Sequence, residues 1–148
     1  MIIVAPSKPW RGLRGTDAWG DGSFEASRDG GTRRHLGQDY MAHPGDVAVW
    51  PISGKLIHVS AAYAGSTLRS LIIVGHAEAA GWMARIDYVM PTFLVGDSAT
   101  AGEPLGRVQD VAGYWQAQHP ERGAMTNHVH LEVWCVADPR EFIAESPA

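Results

Sequence analysis

Residues 127–134 read Asn127-His128-Val129-His130-Leu131-Glu132-Val133-Trp134, and polar and apolar side chains alternate along them. In a β-strand, residues i and i+2 point to the same face. His128, His130, Glu132 and Trp134 therefore share one face, while Val129, Leu131 and Val133 share the other. A strand of this kind rests its apolar side on a core and turns its histidine side toward a cleft.

Working outward, the rest of the chain repeats the theme of short apolar runs punctuated by turn residues. Strands are expected at 39–42, 47–50, 54–60, 70–74, 82–89, 104–108 and 127–134, with a short one near 22–27. Pro44-Gly45-Asp46, Gly96-Asp97 and Gly102-Glu103 are turn signals. One helix is expected over 111–119. A second is expected to begin at Asp138, with Asp as N-cap and Pro139 at the first helical position. The expected class is mostly β, a β-rich α+β fold built on an antiparallel sheet. Residues 1–148 read as a single domain, with an N-terminal loop segment at 1–21 and a core at 22–143.

Composition agrees and excludes other classes. The chain has 148 residues, 45% hydrophobic and 19% charged. That is ordinary for a soluble globular protein and unlike a disordered chain, a collagen or a coiled coil. Twelve basic against sixteen acidic residues give a net charge of −4, so no basic surplus points to nucleic acid. No run approaches the roughly 20 apolar residues of a membrane helix. The opening MIIVAPSKPWRGLRG lacks the basic head and apolar core of a signal peptide. Cytoplasmic synthesis is expected, with action after lysis or as part of a virion. A single cysteine excludes a disulfide framework and a multi-cysteine zinc site. Seven histidines in so short a chain raise the question of a metal.

Two elements carry the chemistry: His35-Leu36-Gly37-Gln38-Asp39 and His128-Val129-His130. Two imidazoles on one strand face can converge on a single ion. A catalytic zinc needs three N/O ligands and an open position. His35, Asp39 and one histidine of the pair would complete that set. The other histidine would then stand where a general base belongs. The plain alternative for the same residues is packing and hydrogen bonding.

The neighbourhood of these residues resembles a known family. Arg33-Arg34-His35-Leu36-Gly37-Gln38-Asp39-Tyr40 is followed by Pro44-Gly45-Asp46-Val47-Ala48-Val49-Trp50 and by Ser53-Gly54-Lys55-Leu56. This succession resembles the lysostaphin/LytM-type zinc metallopeptidases. Val95-Gly96-Asp97 and Ala101-Gly102-Glu103-Pro104-Leu105-Gly106 are similar to their glycine-turn segment. His128-Val129-His130-Leu131-Glu132-Val133 is similar to their closing H-x-H strand, and Asp138-Pro139 to the Asp-Pro that follows it. The resemblance covers residues 22–143. It implies the lysostaphin-type (duplicated hybrid motif) fold, with one Zn2+ in a groove. It also implies hydrolysis of peptide bonds in bacterial peptidoglycan, as a phage-encoded or virion-associated cell-wall hydrolase of the endolysin kind. Its partners would be peptidoglycan peptides and a phage particle or other targeting partner. By position, His35, Asp39 and His130 match the zinc ligands. His128 matches the histidine that orients the water as general base.

One step departs from the family pattern. Where active members carry Tyr-x-His, this chain has Tyr88-Val89-Met90-Pro91. That form is shared with a variant subgroup that includes leukocyte cell-derived chemotaxin-2. The departure supplies the alternative reading, a zinc-binding structural or ligand-binding module without catalysis. His119, in the 113–123 insertion, is a candidate to replace the missing histidine, with the hydroxyls of Tyr40 and Tyr114 as others. Arg28 lies near a family arginine, and Arg28 and Trp50 are candidate substrate contacts. Trp10 and Trp19 read either as groove wall or as staples between loop and core. Cys135 reads as a buried or idle thiol, not a ligand.

Overall fold

Short apolar runs separated by glycine and proline turns settle into antiparallel ladders. In the computed structural model, which describes residues 3–136, the chain begins with β1 (Ser7–Lys8), β2 (Thr16–Asp17), β3 (Gly20–Asp21), β4 (Ser27–Arg28) and β5 (Arg33–Arg34). The longer strands follow: β6 (Gln38–Met41), β7 (Val47–Val49), β8 (Gly54–Ala61), β9 (Arg69–Gly75) and β10 (Trp82–Asp87). Then come β11 (Val89–Pro91), β12 (Ser98–Ala99), β13 (Pro104–Val108), α1 (Val111–Gln118) and β14 (His128–Cys135). The class is mostly β and antiparallel, as expected. The segment read as a strand near 22–27 is instead a turn between β3 and β4 and reaches a strand only at Ser27; the ladders on either side of it are the two-residue pairs β2–β3 and β4–β5. The helix expected from Asp138 lies outside the described residues.

Two sheets carry the fold. A six-stranded sheet runs β12-β8-β9-β10-β14-β6 and a four-stranded sheet runs β1-β7-β13-β11. Trp50, Ile52, Leu56, Leu71, Ile73, Ile86, Leu105 and Val129 are among the side chains fully removed from water in one core cluster. A second cluster packs Leu68, Tyr88 and Val111 with Tyr63, Tyr114 and Trp115 under α1. Asp110 caps α1 by accepting from the Gly113 amide at 2.7 Å, which satisfies an otherwise unpaired N–H of the first turn. No helix among the described residues is long and apolar enough to cross a membrane.

The stretch 82–89 is not one strand. Tyr88 has φ +69°, a left-handed conformation that costs a non-glycine residue of order 1–3 kcal/mol. It is fixed by its amide donating to Arg69 O (2.7 Å) and its carbonyl accepting from the Gln109 amide (2.8 Å). At this corner the chain leaves the six-stranded sheet as β10 and enters the four-stranded sheet as β11. The corner resets the alternation of side chains. Val89 is buried in the core and Met90 is exposed, while Tyr88 turns into the groove described next.

Candidate metal centre

β14 is flanked by β10 on one side and β6 on the other. Register places His130 opposite Asp39 on β6 and opposite Asp87 on β10. His35 precedes β6 by three residues and folds back over it, because Gly37 leaves room. A Cβ at Gly37 would lie 2.6 Å from His130 Cε1 and 2.5 Å from the Leu131 carbonyl oxygen. The bare backbone of the H-x-G-x-D stretch is what lets two imidazoles and a carboxylate close on one point.

The ligand atoms of His35, Asp39 and His130 all lie within 4.8 Å of one another. His35 Nε2 and His130 Nδ1 are 2.9 Å apart, His130 Nδ1 and Asp39 Oδ1 are 3.0 Å apart, and His35 Nε2 and Asp39 Oδ1 are 3.4 Å apart. Tetrahedral zinc with ligands at about 2.0–2.2 Å has donor-to-donor edges of about 3.3–3.6 Å. The observed edges fall at and just below that.

The outer hydrogen bonds decide where the ring protons are. His35 Nδ1 lies 2.8 Å from Ser23 O, a carbonyl that only accepts, so Nδ1 carries the hydrogen. His130 Nε2 lies 2.9 Å from Glu132 Oε1, and Glu132 in turn lies 3.6 Å from Arg85 Nη1. Each neutral ring therefore turns a lone pair inward, toward a carboxylate oxygen. Two imidazole lone pairs and one carboxylate oxygen facing each other, all buried, form a pocket whose natural occupant is a cation. An imidazole that ligates through one nitrogen and donates from the other to a carboxylate is a recurrent device of zinc sites.

Charge follows the same logic. Burial alone would raise the Asp39 carboxyl, but the histidines around it, His130 foremost, outweigh burial and hold it far below the usual range. Burial alone would lower His130, but Asp39 and Glu132 outweigh it, and its pKa is pushed up to about 9. Without a metal, a proton on His130 fills the cation's place.

His128 lies beside this cluster, with Nε2 3.5 Å from Asp39 Oδ2. Its Nδ1 donates to Thr126 O at 2.8 Å, so Nε2 is the basic nitrogen. Burial lowers its pKa and keeps the ring neutral.

All four residues line a groove of about 300 Å³. Arg28, the first candidate substrate contact, lines it too and is braced by donating from Nη2 to Asp21 O at 2.6 Å. Trp50, the second, does not. It is fully buried in the core, edge-on to Phe93 at 5.4 Å between centroids, so the expectation of a substrate contact is corrected. His119 is likewise not a groove residue. It caps the C-terminus of α1, half-exposed, stacked on Trp115 with Nδ1 3.4 Å from a Glu121 oxygen. Met90 does not line the groove either. Cys135 is an exposed thiol, not a buried one. Trp19 is both wall and staple, since it lines the groove while its Nε1 donates to Gly123 O at 2.7 Å.

The sequence reading missed several groove residues. Glu132 was on the right face of the H-x-H strand but was given no role. Tyr63 and Tyr88 face His128 from the far wall, hydroxyl to hydroxyl, with the Tyr88 ring edge-on to His128 at 5.4 Å. Burial raises the pKa of both phenols, so both keep their protons. Arg14 reaches the site from the N-terminal segment, donating to Asp39 Oδ2 at 2.8 Å.

Comparison with known proteins agrees with this architecture. No family model matches the chain. Leukocyte cell-derived chemotaxin-2 of the mouse is 26% identical over 140 residues, spanning 95% of this chain and 85% of that protein. The catalytic domain of the antimicrobial peptidase lysostaphin from Staphylococcus simulans superposes with a TM-score of 0.55 at 18% identity, over 82% of this chain and 86% of that one. A zinc-containing peptidase from Vibrio cholerae superposes with a TM-score of 0.58 at 19% identity, over 90% of this chain and 36% of that one. The fold is thus that of the lysostaphin/LytM-type peptidases, as the motifs implied.

Two outcomes follow for the cluster. His130 is raised above its ordinary value of about 6.5, so its contribution to stability is full below that pH and is lost as pH climbs through about 9. Calorimetry of chelator-treated protein should show Tm falling between pH 6.5 and 9, and zinc should abolish that slope. A flat metal-free curve contradicts the proton assignment. Gly37→Ala should cost about 1–3 kcal/mol in urea denaturation, the usual cost of overpacking, and should weaken metal retention.

Proposed function

We propose that the protein is a zinc metalloendopeptidase that hydrolyses peptide bonds in bacterial peptidoglycan. The observation that carries this reading is the convergence of His35 Nε2, Asp39 Oδ1 and His130 Nδ1 with their lone pairs inward, beside a neutral His128 in an open groove. The lysostaphin-type fold and the ordered family motifs support it. Zinc held by these three residues would supply Lewis acidity for the scissile carbonyl and for the attacking water.

The chain's own residues would do the rest. His128 Nε2 takes the proton of the water and returns it to the leaving amine. Thr126 O holds the Nδ1 proton throughout. Tyr63 and Tyr88 share one hydrogen bond between two hydroxyls, which leaves one O–H proton unspent on the groove wall. That proton is a donor for the oxyanion, on the wall where no histidine is present. Arg28 and Arg33 line one side of the groove and suit the carboxylates of a stem peptide.

A second reading, a zinc-bearing binding module without turnover, draws on the 26% identity to a chemotaxin and on the absence of a histidine at Met90.

Purified protein loaded with zinc and incubated with cell-wall sacculi should release new amino termini. His128→Ala should lower that rate by about 10²–10⁴ with zinc content unchanged. Tyr88→Phe should lower kcat by up to about 10²–10³ with little change in KM. Zinc-loaded protein that releases nothing across wall types and pH would sink the peptidase reading and leave the module.

A further inference from the structure

β6 is an edge strand of the six-stranded sheet, and the N-terminal segment closes that edge. The Met41 amide donates to Gly12 O at 3.0 Å, Leu13 bridges Tyr40, the Arg14 amide donates to Asp39 O at 2.9 Å, and the Asp39 amide donates to Gly22 O at 2.9 Å. Asp39 is thus held by this segment through both of its backbone groups. Gly22 makes the approach possible, because a Cβ there would lie 2.9 Å from both Arg14 Cβ and Asp39 Cβ.

The side chains continue the contact inward. The Arg14 guanidinium is almost fully buried, with its side chain 4% exposed. Its Nη1 donates to Asp39 Oδ2 at 2.8 Å. Its Nε and Nη2 donate to the two oxygens of Asp17 at 3.0 and 2.7 Å. Asp17 Oδ2 also accepts from the Thr126 amide at 2.8 Å. The carbonyl of that same Thr126 accepts from His128 Nδ1. One unbroken chain therefore runs from Asp39 through Arg14, Asp17 and Thr126 to His128.

We propose that Arg14 and Asp17 are positioning residues that set the metal ligand Asp39 and the base His128 together. The His128 half of this proposal rests on the peptidase reading above. Arg14 donates to Oδ2, and Oδ1 faces the two imidazole nitrogens, so Oδ1 is the oxygen that Asp39 would offer a metal. The planar fork is what joins Asp39 to Asp17. A lysine keeps the charge but cannot span both carboxylates in that geometry. Asp17 holds residue 126 by its amide, and the carbonyl of that residue sets the tautomer of His128.

The test is zinc affinity by chelator competition on the full chain, comparing wild type with Arg14→Lys and Asp17→Asn. The second substitution is isosteric and guards against a variant that does not fold. Arg14→Lys should weaken zinc about 10–100-fold, the usual effect of removing a residue that orients a ligand, and the retained charge should not rescue it. Asp17→Asn should lower kcat with KM unchanged, and nitrogen NMR should show His128 losing its single Nδ1–H tautomer. Wild-type zinc affinity in folded Arg14→Lys, or an unaltered His128 tautomer in Asp17→Asn, overturns the proposal. A wild-type protein that binds zinc but cleaves nothing defeats the peptidase reading alone, since the affinity and tautomer measurements still decide this one.

Discussion

The site depends on a repulsion that something must relieve. Three acceptor atoms, two of them imidazole nitrogens and one a carboxylate oxygen, meet at 2.9–3.4 Å in a buried pocket. Uncompensated lone pairs and charge at such separations are costly away from water. The surrounding hydrogen bonds make the cost unavoidable. Ser23 O and Glu132 claim the outer ring protons, so neither ring can turn a donor inward while it is neutral. A buried cation resolves this, and a proton on His130 does so when no metal is bound.

Strand pairing brings those atoms together. Asp39, His130 and Asp87 stand in adjacent registers on β6, β14 and β10, so one row across the sheet carries the chemistry. The floor of the groove is therefore as rigid as the sheet. Its walls have a different origin. Tyr88 comes from a left-handed corner between the two sheets and Tyr63 from the loop between β8 and β9, the tryptophans from α1 and the N-terminal segment, and Arg28 and Arg33 from a short ladder.

Much of the floor was legible in the sequence because it rests on local periodicity. The H-x-H alternation assigns His128 and His130 to one face, and the flanking valines and leucine fill the other. The walls rest on non-local facts. Trp50 directly follows β7, an inner strand of the four-stranded sheet, and alternation cannot tell which face of such a strand looks on a cleft. His119 is near the H-x-H strand in sequence, but the helix it caps turns it toward Trp115. The corner at Tyr88, which leaves Met90 exposed, gives no sequence signal, since a left-handed conformation is the habit of glycine and asparagine. Arg14 touches Asp39 through the pairing of a loop with an edge strand, which no local pattern encodes.

The closure of β6 by residues 12–22 bears on how separable the groove is from the segment before it. Every motif that marks the family lies after residue 22, and a chimera designed from those motifs would take its junction there. Such a graft would carry the three ligands and His128 intact, yet it would strip one side of Asp39 of its backbone partners and its guanidinium. The transplantable module in this protein is therefore longer than its signature. A foreign leader joined at that junction would have to bring its own way of covering the edge.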